Sequence, residues 1–280
     1  MDKDKDIQII TGERIQELCD VYFGSPDDFN YNPRISTQSN KFININSITT
    51  TWDNPRIIFC YSHRLDEFRI ILKHLQNKII LVSHNSDDNI SINFYEIMNN
   101  PIIEKWYAQN VVYNHGKLKL LPIGIANSMW EHGDLSQITH LIKNPVLTKT
   151  DNFYFYFSVY TNFAARQLCK ELLENKGLIF GKSRNFSSYI HQLSNFKYAI
   201  CPPGNGVDCH RIWECLYLNV IPILLRSVFS EKCAEIFPSI VILDKWEDFD
   251  AEKLINSYSY PSFTDNDRLD LNKLNSLFHE

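Results

Sequence analysis

YAICPPGNGVDCHRIWECLYLNVIPILL, residues 198–225, reads as a strand, a glycine-containing turn, a helix and a second strand. The two flanking runs, residues 198–201 and 220–224, are apolar, as in parallel strands that are covered on both faces. Between them, residues 210–218 place apolar side chains at helical spacing. A strand, a helix and a strand in this order form a βαβ unit, from which parallel sheets are built. The segment therefore predicts an α/β fold.

The same alternation of strands and helices extends through the rest of the chain. Further strands are predicted at residues 57–61, 79–82, 119–123, 153–159, 178–180 and 240–243. Further helices are predicted at residues 66–75, 95–109, 163–175, 188–195, 231–237 and 251–258. Asn162 and Ser187 are predicted to cap the third and fourth of these helices by accepting a free backbone N–H of the first turn.

A polar, proline-containing segment at residues 141–151 is the predicted linker between two halves. We expect an N-terminal domain at residues 1–148 and a C-terminal domain at residues 149–280. The last helix is a candidate for packing back on the N-terminal domain. Each half has its own strand–helix series, so we expect two Rossmann-like domains that face a cleft bordered by the carboxyl ends of their strands, where ligands bind in such folds.

The composition is that of a folded globular protein: 44% of residues are hydrophobic, 22% are charged and the net charge is −5. No basic block is present, which argues against a nucleic-acid partner. The amino terminus lacks the apolar core of a signal peptide, and the longest apolar run, residues 220–225, is too short to span a membrane. The seven cysteines show no CxxC spacing, which indicates reduced thiols rather than zinc or disulfides. We expect a soluble, cytoplasmic protein without membrane insertion.

The turn within residues 198–225 has the features of an anion site. Gly204 and Gly206 flank Asn205, so the backbone can adopt positive φ and approach a ligand closely. The next helix is predicted to begin near Asp208 or Cys209. Its free N–H groups and positive dipole end would suit a diphosphate.

Charged side chains on the first turns of this helix add to the prediction. His210 and Arg211 can donate charge-assisted hydrogen bonds to phosphate, and Glu214 can accept from ribose hydroxyls one turn deeper. An ordinary ion pair between Arg211 and Glu214 is the competing interpretation. Arg166 and Arg184 both follow predicted strands and are candidates to complete the phosphate site, although each also fits a surface charge.

Residues 198–225, together with residues 188–189 and 193–198 before them, resemble the donor-binding region of exostosin-like glycosyltransferases. The upstream segments 83–87, 105–110 and 121–130 are similar to small exostosin-like enzymes of large DNA viruses and microbes. The resemblance covers about two-thirds of the chain. Animal exostosins carry an N-terminal membrane anchor that this sequence does not show.

The resemblance implies an inverting glycosyltransferase with two Rossmann-like domains, the GT-B type, which uses a UDP-sugar and no metal. The residues that would hold the donor are Gly204, Asn205, Gly206, His210, Arg211 and Glu214, and Asp208 is a further candidate for donor binding. Likeness to β-xylosyltransferases of algal viruses favours UDP-xylose as the donor. The acceptor would be an oligosaccharide or a glycoprotein glycan.

Inverting transfer also needs a base that takes the proton of the acceptor hydroxyl. Asp87 is the first candidate and His84 the second, because both follow the predicted strand 79–82. His63, Trp106 and Asn127 are candidates for acceptor contacts. Structural roles compete for three of these residues: an Asx turn for Asp87, a satisfied loop histidine for His84 and core packing for Trp106.

Three other functions fit the sequence less well. A fucosyltransferase with a GDP-fucose donor shares the two-domain architecture, and a non-catalytic glycan- or nucleotide-binding module would retain the fold. A Rossmann dehydrogenase is disfavoured, because no GxGxxG follows a first strand. No Asp-x-Asp triplet occurs in a suitable loop after a strand, so we expect neither a metal nor a cofactor.

Overall fold

Two separate parallel β-sheets organise the protein. The computed structural model describes residues 8–29, 41–44, 55–263 and 267–280. The chain forms two units: unit 1 comprises Met1–Gly133 and Leu271–Glu280, and unit 2 comprises Asp134–Asp270. The architecture is α/β, with one parallel sheet in each unit. The division after Gly133 lies upstream of the 148/149 boundary that the linker composition suggested.

The sheet of unit 1 has six parallel strands in the order β2-β1-β3-β4-β5-β6. These strands are β1 (Val21–Gly24), β2 (Phe42–Asn44), β3 (Ile57–Tyr61), β4 (Ile79–His84), β5 (Ile103–Ala108) and β6 (Leu118–Leu120). The helices are α1 (Gly12–Glu17), α2 (Pro26–Phe29), α3 (Leu65–Ile71) and α4 (Tyr95–Asn99). Because the strand order reverses between β1 and β3, the ends of these two strands border the crevice where ligands bind in doubly wound folds.

Both faces of this sheet are covered. Along β3, Ile58 packs into one hydrophobic cluster and Phe59 into the other, as the twofold alternation of strand side chains requires. Neighbours on β5 divide in the same way, with Trp106 in the first cluster and Tyr107 in the second. The strands are therefore apolar throughout, which is why β3 and β4 are recognisable from sequence.

The sheet of unit 2 has four parallel strands in the order β10-β9-β8-β7. These are β7 (Asp151–Tyr154), β8 (Phe196–Ile200), β9 (Ile221–Leu225) and β10 (Val241–Leu243). The helices of the unit are α5 (Leu135–Lys143), α6 (Phe163–Asn175), α7 (Phe186–Leu193), α8 (His210–Tyr217), α9 (Val228–Ile236) and α10 (Ala251–Asn256). Each strand lies beside its predecessor in the chain, so the βαβ prediction for residues 198–225 is confirmed.

The last helix, α11 (Leu271–His279), belongs to unit 1. Leu274 and Phe278 are buried in the second cluster of unit 1, and the Phe278 ring lies 4.8 Å from that of Tyr107. The Tyr107 hydroxyl donates to the carbonyl of Leu277 over 2.8 Å. The chain thus returns to its first sheet after completing unit 2.

Three local predictions are wrong. Residues 95–109 do not form one helix: α4 ends at Asn99 and β5 follows, because Pro101 forces extended backbone on Asn100 (φ −62°, ψ 129°) and ends the helix. Residues 178–180 form no strand. The N-cap of α7 is Asn185, whose side chain accepts from the Ser188 amide, and not Ser187. The Asn162 cap of α6 is confirmed.

In the described parts of the chain, no helix combines the length and the apolar character needed to cross a membrane.

Candidate functional site

In the loop after β8, the backbone of Gly204 lies close to the Arg166 guanidinium and the Cys209 sulfur. The Gly204 amide donates to the Gly206 carbonyl and to the Cys209 sulfur, each over 3.0 Å. A Cβ on Gly204 would lie 2.9 Å from Arg166 Nη2 and 3.2 Å from the Cys209 sulfur. The φ angle of Gly204 is not in the left-handed region, so the expected positive φ is wrong at this residue. The absence of a Cβ at Gly204 leaves space for the Arg166 guanidinium.

Arg166 ties three chain segments together. Its Nε donates to the Pro203 carbonyl over 2.9 Å, and its Nη1 donates to the Ser158 carbonyl over 2.8 Å. On the same helix, the N-cap Asn162 donates from Nδ2 to the Gly204 carbonyl over 2.9 Å. Burial and the positive charge of nearby Arg211 lower the pKa of Arg166, although an arginine remains charged near neutral pH.

Arg211, on the first turn of α8, is held by three tyrosines. Its Nε donates to the Tyr189 hydroxyl over 3.1 Å, and its Nη1 donates to the Tyr156 carbonyl over 2.5 Å. The guanidinium carbon lies 5.4 Å from the Tyr154 ring centre and 5.2 Å from that of Tyr189. Aromatic faces stabilise a cation without neutralising it, so the side chain keeps its full positive charge.

Glu214 and Asp208 are buried carboxylates that accept from aromatic side chains. The Tyr189 hydroxyl accepts from Arg211 and donates to Glu214 Oε2, so it lies between the two charges. Trp213 Nε1 donates to Asp208 Oδ1 over 2.6 Å. The predicted donor contacts of Glu214 and Asp208 are therefore replaced, at these oxygens, by internal hydrogen bonds. The competing ion pair between Arg211 and Glu214 is absent from the described contacts as well.

Arg184 lies near the same tyrosines although no strand precedes it. The Gly181 amide donates to the Phe155 carbonyl over 2.8 Å, which places residues 178–184 alongside the segment that follows β7. Burial raises the pKa of Tyr154, and the positive charges of Arg211 and Arg184 both act to lower it. Arg184 is exposed, and it makes no hydrogen bond or ion pair within the described chain.

Arg166, Arg184 and Arg211 form an arginine cluster at the carboxyl edge of the unit 2 sheet, the edge at which its strands end. None of the three is within ion-pair distance of a carboxylate among the described residues. Arg226, which follows β9 at the same edge, differs in this respect because Asp244 and Glu231 both pair with it.

The start of α8 adds to the positive character of this edge. The N-cap Cys209 has extended backbone and makes no side-chain capping bond. Burial raises the pKa of its thiol to about 11, so the sulfur contributes no negative charge near neutral pH. The other residues of the predicted anion site also lie here: His210 is half-buried on the first turn of α8, and Asn205 is exposed on the turn before it.

In unit 1, His84 is enclosed and Asp87 is exposed. His84 has no exposed surface, its Nε2 donates to the Pro122 carbonyl over 2.9 Å, and its Nδ1 lies 3.0 Å from Asn85 Oδ1. Because both nitrogens have protein partners, His84 is unsuited to be the base. Asp87 lies in the loop after β4, next to Asp88, whose carboxylate accepts from the Ser86 hydroxyl over 3.0 Å.

Two predicted acceptor contacts have structural partners. Trp106 has no exposed surface and donates from Nε1 to the Ser83 hydroxyl over 2.8 Å, so it has no face on which a sugar can stack. Asn127 accepts from the Glu13 amide over 2.9 Å and donates to Asn85 Oδ1 over 3.3 Å. Asn127 thus fixes the start of α1 to the end of β4.

His63, the third predicted acceptor contact, is held in place by the buried carboxylate of Asp28. Its Nε2 lies 2.9 Å from Asp28 Oδ1, and Arg64 Nε donates to Asp28 Oδ2 over 3.0 Å. The Ser25 amide donates to the same Oδ2 over 2.7 Å. Burial alone would raise the pKa of Asp28, but the hydrogen bonds from Arg64, Ser25 and His63 lower it below its usual value. Asp28 is not recognisable as a site residue from sequence, because β1, the strand that precedes it, is only four residues long.

Within the described residues, no group of three or more His, Cys, Asp or Glu side chains has an arrangement that could hold a metal ion. No protein-family model matches the chain, and no curated protein sequence matches it either.

Proposed function

We propose that the protein is an inverting glycosyltransferase that transfers a sugar from a UDP-sugar to a hydroxyl group of a glycan. The observation that carries the proposal is the arginine cluster beside the start of α8, where the N-cap Cys209 makes no side-chain capping bond. Three guanidinium groups that no carboxylate of the described residues pairs with, at the carboxyl edge of a parallel sheet, form an environment suited to a diphosphate.

The same groups would assist the chemistry. When the bond between the sugar and the diphosphate breaks, the negative charge on the departing UDP increases. Fixed guanidinium groups stabilise this charge more strongly than the charge of the intact donor, which lowers the barrier. A hydrogen bond to a charged group contributes about 1.5–3 kcal/mol, so two or three of them account for a large part of donor binding.

The finer assignments extend the proposal. We expect UDP-xylose as the donor, and an arrangement of the GT-B type in which unit 2 binds the donor and unit 1 binds the acceptor. Because the arginines supply positive charge at the diphosphate, transfer should persist in excess EDTA. Loss of all activity in EDTA would reject this expectation. Asp87 is the base candidate named from sequence, and His63 is the candidate for acceptor contact.

Titration calorimetry tests donor binding. UDP should bind more tightly than UMP, and UMP more tightly than uridine, because each phosphate adds contacts with the arginine cluster. A titration with GDP tests which nucleobase the site prefers, since tighter binding of GDP than of UDP would favour a fucosyltransferase. Absence of binding by either diphosphate would reject the site.

A coupled assay of UDP release tests transfer. UDP-xylose, UDP-glucuronate, UDP-galactose and UDP-GlcNAc are incubated with the protein, with and without oligosaccharide acceptors. Release that depends on the acceptor supports the proposal. UDP binding without release from any donor would instead indicate a non-catalytic binding module.

A further inference from the structure

His63 and Asp28 form a pair at the point in unit 1 where the strand order reverses. Asp28 follows β1 and His63 follows β3, the two adjacent strands from which the sheet extends in opposite directions. The carboxyl ends of such strands border the usual ligand crevice of an open α/β sheet. The pair therefore lies where unit 1 would bind a substrate.

The hydrogen bond to Asp28 fixes the tautomer of His63. An ionised carboxylate only accepts hydrogen bonds, so His63 Nε2, 2.9 Å from Asp28 Oδ1, carries the hydrogen. In the neutral ring the lone pair is then on Nδ1. The side chain is 39% exposed, whereas that of Asp28 is 7% exposed. The described contacts of His63 include no hydrogen bond at Nδ1.

Arg64 and Ser25 hold the carboxylate of Asp28 in place. It accepts from Arg64 at both oxygens, over 3.0 Å at Oδ2 and 3.2 Å at Oδ1, and from the amide and hydroxyl of Ser25. These donors satisfy the carboxylate without His63 and keep it ionised. Arg64 also offsets its negative charge, and the carboxylate orients the imidazole through its hydrogen bond with Nε2.

We propose that His63 is the base that takes the proton of the acceptor hydroxyl, in place of Asp87, and that Asp28 positions it. This assignment rests on the proposed glycosyltransfer. In the transfer step the acceptor oxygen forms a bond to the anomeric carbon as its proton moves to His63 Nδ1. The bond from that carbon to the diphosphate breaks, and UDP leaves with the electron pair. His63 then releases the proton to water.

The test compares His63→Ala with Asp87→Asn and with His74→Ala, a matched control at an exposed histidine of the same unit. Loss of a general base lowers kcat by about 10²–10⁴-fold. We expect at least a 100-fold loss of kcat in His63→Ala, with the Kd for UDP unchanged. His74→Ala should stay within threefold of the wild type, and the loss of kcat in Asp87→Asn should be smaller than that in His63→Ala.

Chemical rescue separates a base from a structural role. Added imidazole should raise the kcat of His63→Ala at least tenfold. It should not change the activity of the wild type. Asp28→Asn should lower kcat without changing the KM for the donor, and imidazole should not restore it. In that variant the imidazole of His63 is still present, but its orientation and tautomer are no longer fixed by a carboxylate.

The outcomes distinguish this assignment from the proposed function. If the wild type shows acceptor-dependent UDP release and His63→Ala retains its kcat, the base assignment is wrong and glycosyltransfer stands. A 100-fold loss in Asp87→Asn with none in His63→Ala would return the role to Asp87. A lost kcat that imidazole does not restore would also overturn the assignment, because His63 would then be structural. If the wild type transfers no sugar from any UDP-sugar, both the function and the base are rejected.

Discussion

The carboxyl edges of the two sheets are built from different chemistry. In unit 2 the edge carries the arginine cluster, and the nearby carboxylates of Asp208 and Glu214 are buried and bonded to aromatic side chains. In unit 1 the edge carries histidines, amides and a carboxylate that pair with one another, as His63 does with Asp28. Among the described residues, the unit 2 edge retains three arginines that no carboxylate pairs with, and the unit 1 edge presents a histidine that a carboxylate holds.

This difference shows how one fold class can carry two kinds of chemistry. A parallel sheet places whatever follows its strands at one edge, so the residues after the strands decide the chemistry. Tyr189 illustrates the point in unit 2. Its hydroxyl lies between Arg211 and Glu214 and prevents the ion pair that would otherwise neutralise the arginine.

Removing the most enclosed arginine should have the largest effect. Arg211→Lys keeps the charge but loses the planar fork that contacts Tyr189 and Tyr156. We expect the Kd for UDP to rise about 100-fold, since each charge-assisted hydrogen bond contributes roughly 1.5–3 kcal/mol. Calorimetry measures the change, and circular dichroism checks the fold.

Arg226→Lys is the matched control for this variant, because Arg226 follows β9 at the same edge but is paired with Asp244 and Glu231. Its Kd for UDP should equal that of the wild type. Equal losses in both variants would show that the edge binds UDP through general charge and not through the arginine cluster.

Arg184→Ala should have the next largest effect on binding. Arg184 has no hydrogen-bonding partner in the described chain, so its removal should leave the melting temperature unchanged. The Kd for UDP should rise about tenfold, the equivalent of one charge-assisted contact. The loss should shrink at 0.5 M NaCl, because salt screens an exposed charge. An unchanged Kd would remove Arg184 from the site.

Lys149 provides a contrast within unit 2, because its charge is enclosed away from the arginine cluster. Its Nζ donates to the carbonyls of Ser194 and Leu218 over 2.7 and 2.8 Å, and burial lowers its pKa to about 8. Above pH 8 the folded protein loses this proton while the unfolded chain keeps it up to about pH 10.4. Stability from this group therefore rises with pH in that window.

Lys149→Met lacks this titration. Between pH 7.5 and 9.5, the free energy of unfolding of the wild type should rise relative to the variant by roughly 1 kcal/mol, after allowance for solvent screening. Denaturant unfolding at the two pH values measures the difference. A constant difference would show that the Lys149 pKa is not lowered. The Kd for UDP should be the same in both proteins.

Gly204→Ala should have the smallest effect. The added Cβ would meet Arg166 Nη2 at 2.9 Å, and the end of an arginine side chain can move at little cost. The displaced guanidinium should raise the Kd for UDP about threefold, a fraction of one charge-assisted contact. Gly116→Ala, where a Cβ meets nothing within 4 Å, is the control and should not change the Kd. A loss above 100-fold would mean that the turn itself contacts the ligand.

The regularity of the buried strands made much of the fold predictable. β3 is entirely apolar and matches its predicted bounds, and the Asn162 cap together with the helical spacing after it located α6. β5 is not recognisable as a strand from sequence, because Glu104 and Lys105 interrupt its apolar run, and Pro101 is the signal that separates it from α4. β1 and β2 are too short to give a pattern.

The candidate site was predictable where its residues lie close together in sequence. The turn at Gly204 and the helix that carries Arg211 are contiguous, so their proximity followed from secondary structure alone. The role of Tyr189 depends on contacts between residues that are 22 and 25 positions apart. The pairing of Asp28 with His63 spans 35 positions, and no local pattern indicates it.

A crystal structure with bound UDP tests the central claim most directly. We predict that the diphosphate lies at the carboxyl edge of the unit 2 sheet, with phosphate oxygens within hydrogen-bonding distance of Arg211 and of at least one of Arg166 and Arg184. UDP bound at another place, or a diphosphate that none of the three guanidinium groups contacts, would contradict it.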